Sequence, residues 1–101
     1  MKLLSILLAS FVCVSISAQQ IRYINSNDHL KKGYPFSQAT LVNNIIYLSG
    51  ELGTTSDGTL VEGGIVPETI QALKNISETL EYMESSIDNV FKCTCMLADI
   101  K

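Results

Sequence analysis

The sequence predicts an α+β domain, and three observations carry that prediction. Two short apolar runs, rich in β-branched and aromatic residues, flank the pair Asn43-Asn44. After Pro67, apolar residues recur at three- and four-residue spacing. The elements do not alternate strand and helix as a parallel α/β chain would.

Residues 21–25 alternate weakly and read as a first strand. Residues 26–38 are polar and turn-rich, with Asn27, Asp28, Gly33 and Pro35, and read as a surface loop. Residues 39–42 and 45–49 then read as a hairpin. Asn tolerates positive φ, which a two-residue turn between twisted strands requires. The second run is apolar almost throughout, as in a strand covered on both faces.

Residues 50–64 form a long glycine-rich loop with a Ser-Asp-Gly-Thr turn at its centre. Pro67 opens a helix, because its missing N–H would be unpaired in the first turn anyway. Glu68 suits the positive end of the helix dipole. Ile70, Leu73, Ile76, Leu80 and Met83 share one face, while Gln71, Lys74, Asn75, Glu78 and Glu81 fall on the wet side. The expected end is near Ser85-Ser86. Residues 90–98 read as a last strand with both faces apolar. One helix covers one sheet face, so the other face needs a further cover.

The first 18 residues read as a secretory signal peptide. Lys2 precedes an apolar stretch, and Ser15, Ser17 and Ala18 are small, which places cleavage after Ala18. The stretch is shorter than the ~20 apolar residues a membrane span needs. Residues 19–101 remain as the domain, secreted or periplasmic. They carry six basic and ten acidic residues. The basic residues are scattered, with only Lys31 and Lys32 adjacent, so no phosphate-binding patch appears and nucleic-acid binding is not expected.

Cys93 and Cys95 stand two apart, which on a strand points both to one face. Parallel side-chain vectors disfavour a disulfide. His29 is the only histidine, so zinc finds too few ligands, and no metal is expected. The pair reads as small apolar residues in a buried strand. No glycine-rich phosphate cradle and no nucleophile elbow occur. Asn75-Ile76-Ser77 fits a glycosylation pattern but falls inside the helix and reads as chance. His29 reads as solvated in its polar loop.

Six phrases occur in one order and spacing: residues 34–39, 46–50, 60–65, 71–76, 89–94 and 97–100. Together they resemble the Rid (YjgF-type) family. The resemblance covers residues 21–101. It implies a chorismate-mutase-like fold in which a mixed sheet is backed by two helices. Three subunits would join their sheets into a central barrel, with clefts between neighbours. It implies hydrolysis of 2-imino acids to 2-oxo acids and ammonia, without metal or organic cofactor. The expected partners are a small imino acid and two further copies of the chain.

The resemblance also implies site residues. Phe36 matches a pocket aromatic that is tyrosine in many members, and plain loop packing is the competing reading. Ser49 and Gly50 match the strand end that lines the cleft, although Ser49 also reads as a polar strand end. Glu51 stands where glutamine is usual and adds a negative charge beside an anionic substrate. The family's arginine, which pairs with the substrate carboxylate, and its later glutamate have no counterpart in residues 1–101. Nor do its second helix and last strands. Residues 19–101 therefore read as a partial domain that is itself inactive, with no catalytic residue to assign. The alternative is a non-catalytic, secreted, trimeric ligand-binding protein, motivated by Phe36, Glu51 and the export signal.

Overall fold

A computed structural model describes residues 17–99. The expected signal peptide falls almost wholly outside them. β1 (Ile21–Ile24), β2 (Ala39–Val42) and β3 (Ile45–Leu48) form an antiparallel sheet in the order β1-β2-β3. α1 (Asn27–Lys32) lies between β1 and β2, and α2 (Ile65–Tyr82) follows β3. A 3₁₀ turn covers Ile87–Asn89. This is the expected α+β architecture, with sheet and main helix segregated along the chain.

The hairpin closes at the predicted pair, with Val42 opposite Ile45. Asn43 takes φ 54° there, the left-handed region that asparagine tolerates. Ala39 pairs with both Ile24 and Leu48, and Leu41 with both Arg22 and Ile46. Side chains alternate across a sheet, so these six residues share the inner face. Ile21, Val42 and Ile45 form one row of the outer face, and Tyr23, Thr40 and Tyr47 the next. The outer face is open: Tyr23 is 70% and Tyr47 56% exposed. The expectation that β3 is covered on both faces fails within this chain.

α2 begins at Ile65, two residues before Pro67. Proline still sits in the first turn, where the N–H it lacks would have had no helical partner. The apolar stripe is divided. Leu80 is buried, but Ile70 and Leu73 are exposed. Apolar burial concentrates where sheet and helix meet, at Ala39 and Leu80, next to a hydrogen bond from Gln38 Nε2 to Thr79 Oγ1 of 3.0 Å. Away from this contact a cavity of about 1950 Å³ opens between the inner sheet face, α2 and residues 90–97.

Two expectations are corrected. Residues 26–38 are not a plain loop. Ser26 caps α1 by accepting from the His29 N–H at 3.2 Å, and Gly33 ends it at φ 65°. Residues 90–98 are not a strand, because they join no ladder among the described residues. They run exposed, with Phe91 at 79% and Met96 at 86%. A strand needs a hydrogen-bonding neighbour, and its apolar pattern alone does not provide one. Cys93 and Cys95 are therefore exposed free thiols rather than buried packing residues.

Candidate functional site

A cleft of about 760 Å³ lies between α1, the segment after it, the exit of β3 and the outer turns of α2. Phe36, Ser49, Gly50 and Glu51 all line it. Each reaches the cleft by a different local device.

α1 supplies one wall. Its His29 ring places Nε2 2.8 Å from the Phe36 carbonyl oxygen, so the tautomer protonated there donates to it. Tyr34 and Phe36 stack with centroids 5.2 Å apart and planes within 7°. The His29 ring meets Phe36 edge-on at 5.5 Å and Tyr34 at 5.3 Å. Such aromatic contacts add to plain area burial. His29 is therefore not merely solvated: it ties the helix to the aromatic wall. That role is not written in the spacing, because it depends on the unanticipated α1.

Gln38 holds the second wall. Its backbone N–H donates to Asn25 Oδ1 at 2.8 Å. Its side-chain oxygen accepts from the Ser26 N–H at 3.0 Å, and its amide nitrogen donates to Thr79 Oγ1. One side chain thus joins the end of β1, the cap of α1 and α2. Ser49 Oγ donates to the Ser37 carbonyl at 2.6 Å, while its N–H donates to the Gln38 carbonyl at 3.0 Å. The serine hydroxyl is committed to the backbone, which suits a positioning role at the strand end and not a nucleophile.

The floor is fixed by an amide relay on α2. Gln71 donates to Asn75 Oδ1 at 2.9 Å, and Asn75 Nδ2 donates to the carbonyls of Leu52 and Thr54, each at 2.9 Å. Gly53 packs beneath, where a Cβ would strike the Glu68 backbone. Asn75 and Gln71 were expected on the wet side of the helix. They instead clamp the loop that presents Glu51. Polar type alone placed them in solvent. Their spacing, i and i+4, is the signal that one helix face holds two amides.

Glu51 is half-buried, and burial raises its pKa from 4.5, while Lys32 and then His29 oppose that rise by favouring the charged form. Desolvation dominates because a carboxylate loses more hydration than distant cations return. Asp28 and Glu78 also line the cleft. Each has a cation: Lys31 at 3.1 Å from Asp28 and Lys74 at 3.9 Å from Glu78. Arg22, the chain's only arginine, lines the wider cavity on the inner sheet face and not this cleft. No group of three metal-binding side chains occurs among the described residues, and no helix among them is long and apolar enough to cross a membrane.

Residues 27–101 match the family described as Endoribonuclease L-PSP. The chain belongs to that family. It is the Rid (YjgF-type) family that the sequence phrases resemble. Among relatives, the Homo sapiens 2-iminobutanoate/2-iminopropanoate deaminase is 49% identical over 67 residues, 65% of this chain and 49% of the relative. The Capra hircus protein of the same name is 51% identical over the same shares. The Arabidopsis thaliana chloroplastic Reactive Intermediate Deaminase A is 33% identical over 93 residues, 89% of this chain and 50% of the relative. The chain spans about half the length of the curated relatives it matches. As a Rid-family chain it carries the expected α+β fold, and its cleft is bounded by the 34–39, 46–50 and 71–76 phrases on which the resemblance rests.

Proposed function

We propose that the full-length protein hydrolyses small 2-imino acids to 2-oxo acids and ammonia, outside the cytoplasm, as a homotrimer. The observation that carries this reading is the identity, near one residue in two, to deaminases named for 2-iminobutanoate and 2-iminopropanoate. The cleft agrees in scale: about 760 Å³ suits a small ligand. In this reading Phe36 forms an apolar wall, Ser49 and Gly50 shape the strand end, and Glu51 sets the local charge. The reading calls for no metal and no organic cofactor. Export is supported by the apolar start and small residues of 1–18.

The family description also names an endoribonuclease. The acidic balance of the chain and its scattered lysines favour a small-molecule substrate over a polyanion.

To test the deaminase, the product of the complete gene is given 2-iminopropanoate generated in situ, and 2-oxo acid release is followed. Acceleration over buffer supports the reading; a rate equal to buffer removes it. One observation favours a second reading, a ligand-binding protein without turnover: Glu51 places a carboxylate where an anionic substrate would have to approach. Saturable binding of small uncharged or cationic ligands with no turnover would establish it instead.

A further inference from the structure

Glu51 is the carboxylate of the cleft that the protein leaves to a ligand. Asp28 and Glu78 each have a lysine within 4.0 Å. Among the described residues Glu51 has neither a hydrogen bond nor an ion pair within that distance, only the longer-range field of Lys32 and His29. Its oxygens are open to the cleft rather than sealed, so a ligand that displaces water there has to bring donors of its own. A cationic N–H donor on a ligand would meet that need. There is room for one: a Cβ added to the preceding Gly50 would meet no atom within 4 Å.

We propose that the Glu51 carboxylate receives the substrate's cationic imine nitrogen and holds the C=N group in its electrophilic form. The proposal rests on the deaminase reading above. A 2-imino acid with its nitrogen protonated is a zwitterion. Glu51 matches its positive end, and Lys32, across the cleft on α1, offers charge to its carboxylate. The usual glutamine has an oxygen that accepts a hydrogen bond. It cannot stabilise the positive charge, and stabilising charge in a partly dry site is where the larger effect lies.

In the step this serves, a water oxygen bonds to the imine carbon. The C=N π pair moves to nitrogen and neutralises it. Water's extra proton passes to solvent, and the carbinolamine nitrogen is then protonated. The C–N bond breaks with its electron pair on the leaving ammonia, while the hydroxyl loses its proton to give the 2-oxo acid. Iminium and water are consumed, and oxo acid and ammonium appear. Glu51 supplies charge and gains no proton.

The groups that bear on this carboxylate are Lys32 and His29 of α1, with Asp28, Lys74 and Glu78 around the same cleft. On acidification Glu51 loses its charge, and that weakens the hold on a cation. On alkalinisation the imine loses its proton, and a neighbouring carboxylate moves that loss to higher pH.

The test compares full-length wild type, Glu51→Gln and Glu51→Asp, each first shown to melt cooperatively. It reads the pH profile of kcat/KM for 2-iminopropanoate and the binding of acetamidinium, a stable planar cation with the same C=NH₂⁺ geometry. The expected result is a loss of about tenfold or more in kcat/KM for Glu51→Gln. Its alkaline limb falls by about one pH unit, and Glu51→Asp recovers part of both. Acetamidinium binds wild type about tenfold more tightly than Glu51→Gln. Unchanged kinetics together with equal acetamidinium binding overturns the proposal. Wild type that binds acetamidinium through Glu51 but does not turn over the imine supports the site and sinks the deaminase reading alone.

Discussion

Asn75 shows how far one amide organises the cleft. It reaches two carbonyls of the loop after β3 and is itself oriented by Gln71. Removing it takes the side-chain donor from both carbonyls and leaves Leu52 only the Thr54 N–H at 2.8 Å. Asn75→Ala should therefore cost about 1–3 kcal/mol, read as a lower urea midpoint of the full-length protein, and should loosen Glu51 with it. An unchanged midpoint would mean that water replaces the amide freely. Glu51 makes a second residue-scale prediction, about pH. Its folded pKa lies above its unfolded value of 4.5, so the native state holds the proton more tightly. The stability this contributes is complete below pH 4.5 and is lost as pH rises through the raised value. Glu51→Gln has no such proton. Its stability should fall less than wild type's over that acidic window in pH-dependent urea titrations; parallel curves would show that Glu51 is solvated in the folded protein.

At the scale of elements, α2 ends in a defined motif. The Ser85 N–H donates to the Leu80 carbonyl at 2.8 Å and the Glu84 N–H to the Glu81 carbonyl at 2.9 Å. This paired closure requires a left-handed residue between them, and Glu84 takes that role at φ 59°. Glutamate pays a steric penalty there that glycine avoids. Glu84→Gly should raise stability by about 0.5–1 kcal/mol, visible as a higher thermal midpoint, whereas a drop would show that the Glu84 side chain holds something in place.

The elements also divide by how they could be read. The 39–48 hairpin and the body of α2 were legible because their signals are local: Asn43-Asn44 at a turn and a 3.6-residue stripe. α1 was missed although Ser26 and Gly33 stood at its two caps, because five polar residues around the single Leu30 have no apolar period to announce a helix. Residues 90–98 failed for the opposite reason. Their apolar character is strong on both faces, but pairing is a property of two strands and cannot be read from one. The cleft residues Phe36, Ser49, Gly50 and Glu51 came from resemblance rather than periodicity. The structure brings them together but took Gln38, Asn75 and His29 to do so, side chains whose roles depend on contacts up to 41 positions apart.

At the scale of the molecule, the outer sheet face decides how the protein behaves in solution. Two cross-strand rows lie side by side: Ile21, Val42 and Ile45, then Tyr23, Thr40 and Tyr47. Ile21, Tyr23, Ile45 and Tyr47 are all at least 40% exposed. A contiguous apolar patch on a sheet is a surface that soluble proteins usually cover. α2 lies on the other side and cannot reach it. In the proposed trimer this face turns inward, and each copy covers the others. A charge in the Tyr row would then have to be buried without a partner, at a cost of several kcal/mol per copy. A charge on a free surface would cost almost nothing. Tyr47→Glu in the full-length protein should therefore lower the sedimenting mass from trimer toward monomer, and Tyr23→Lys should do the same independently. A trimer that survives both substitutions would place the subunit contact elsewhere and leave the open face of the sheet to another partner.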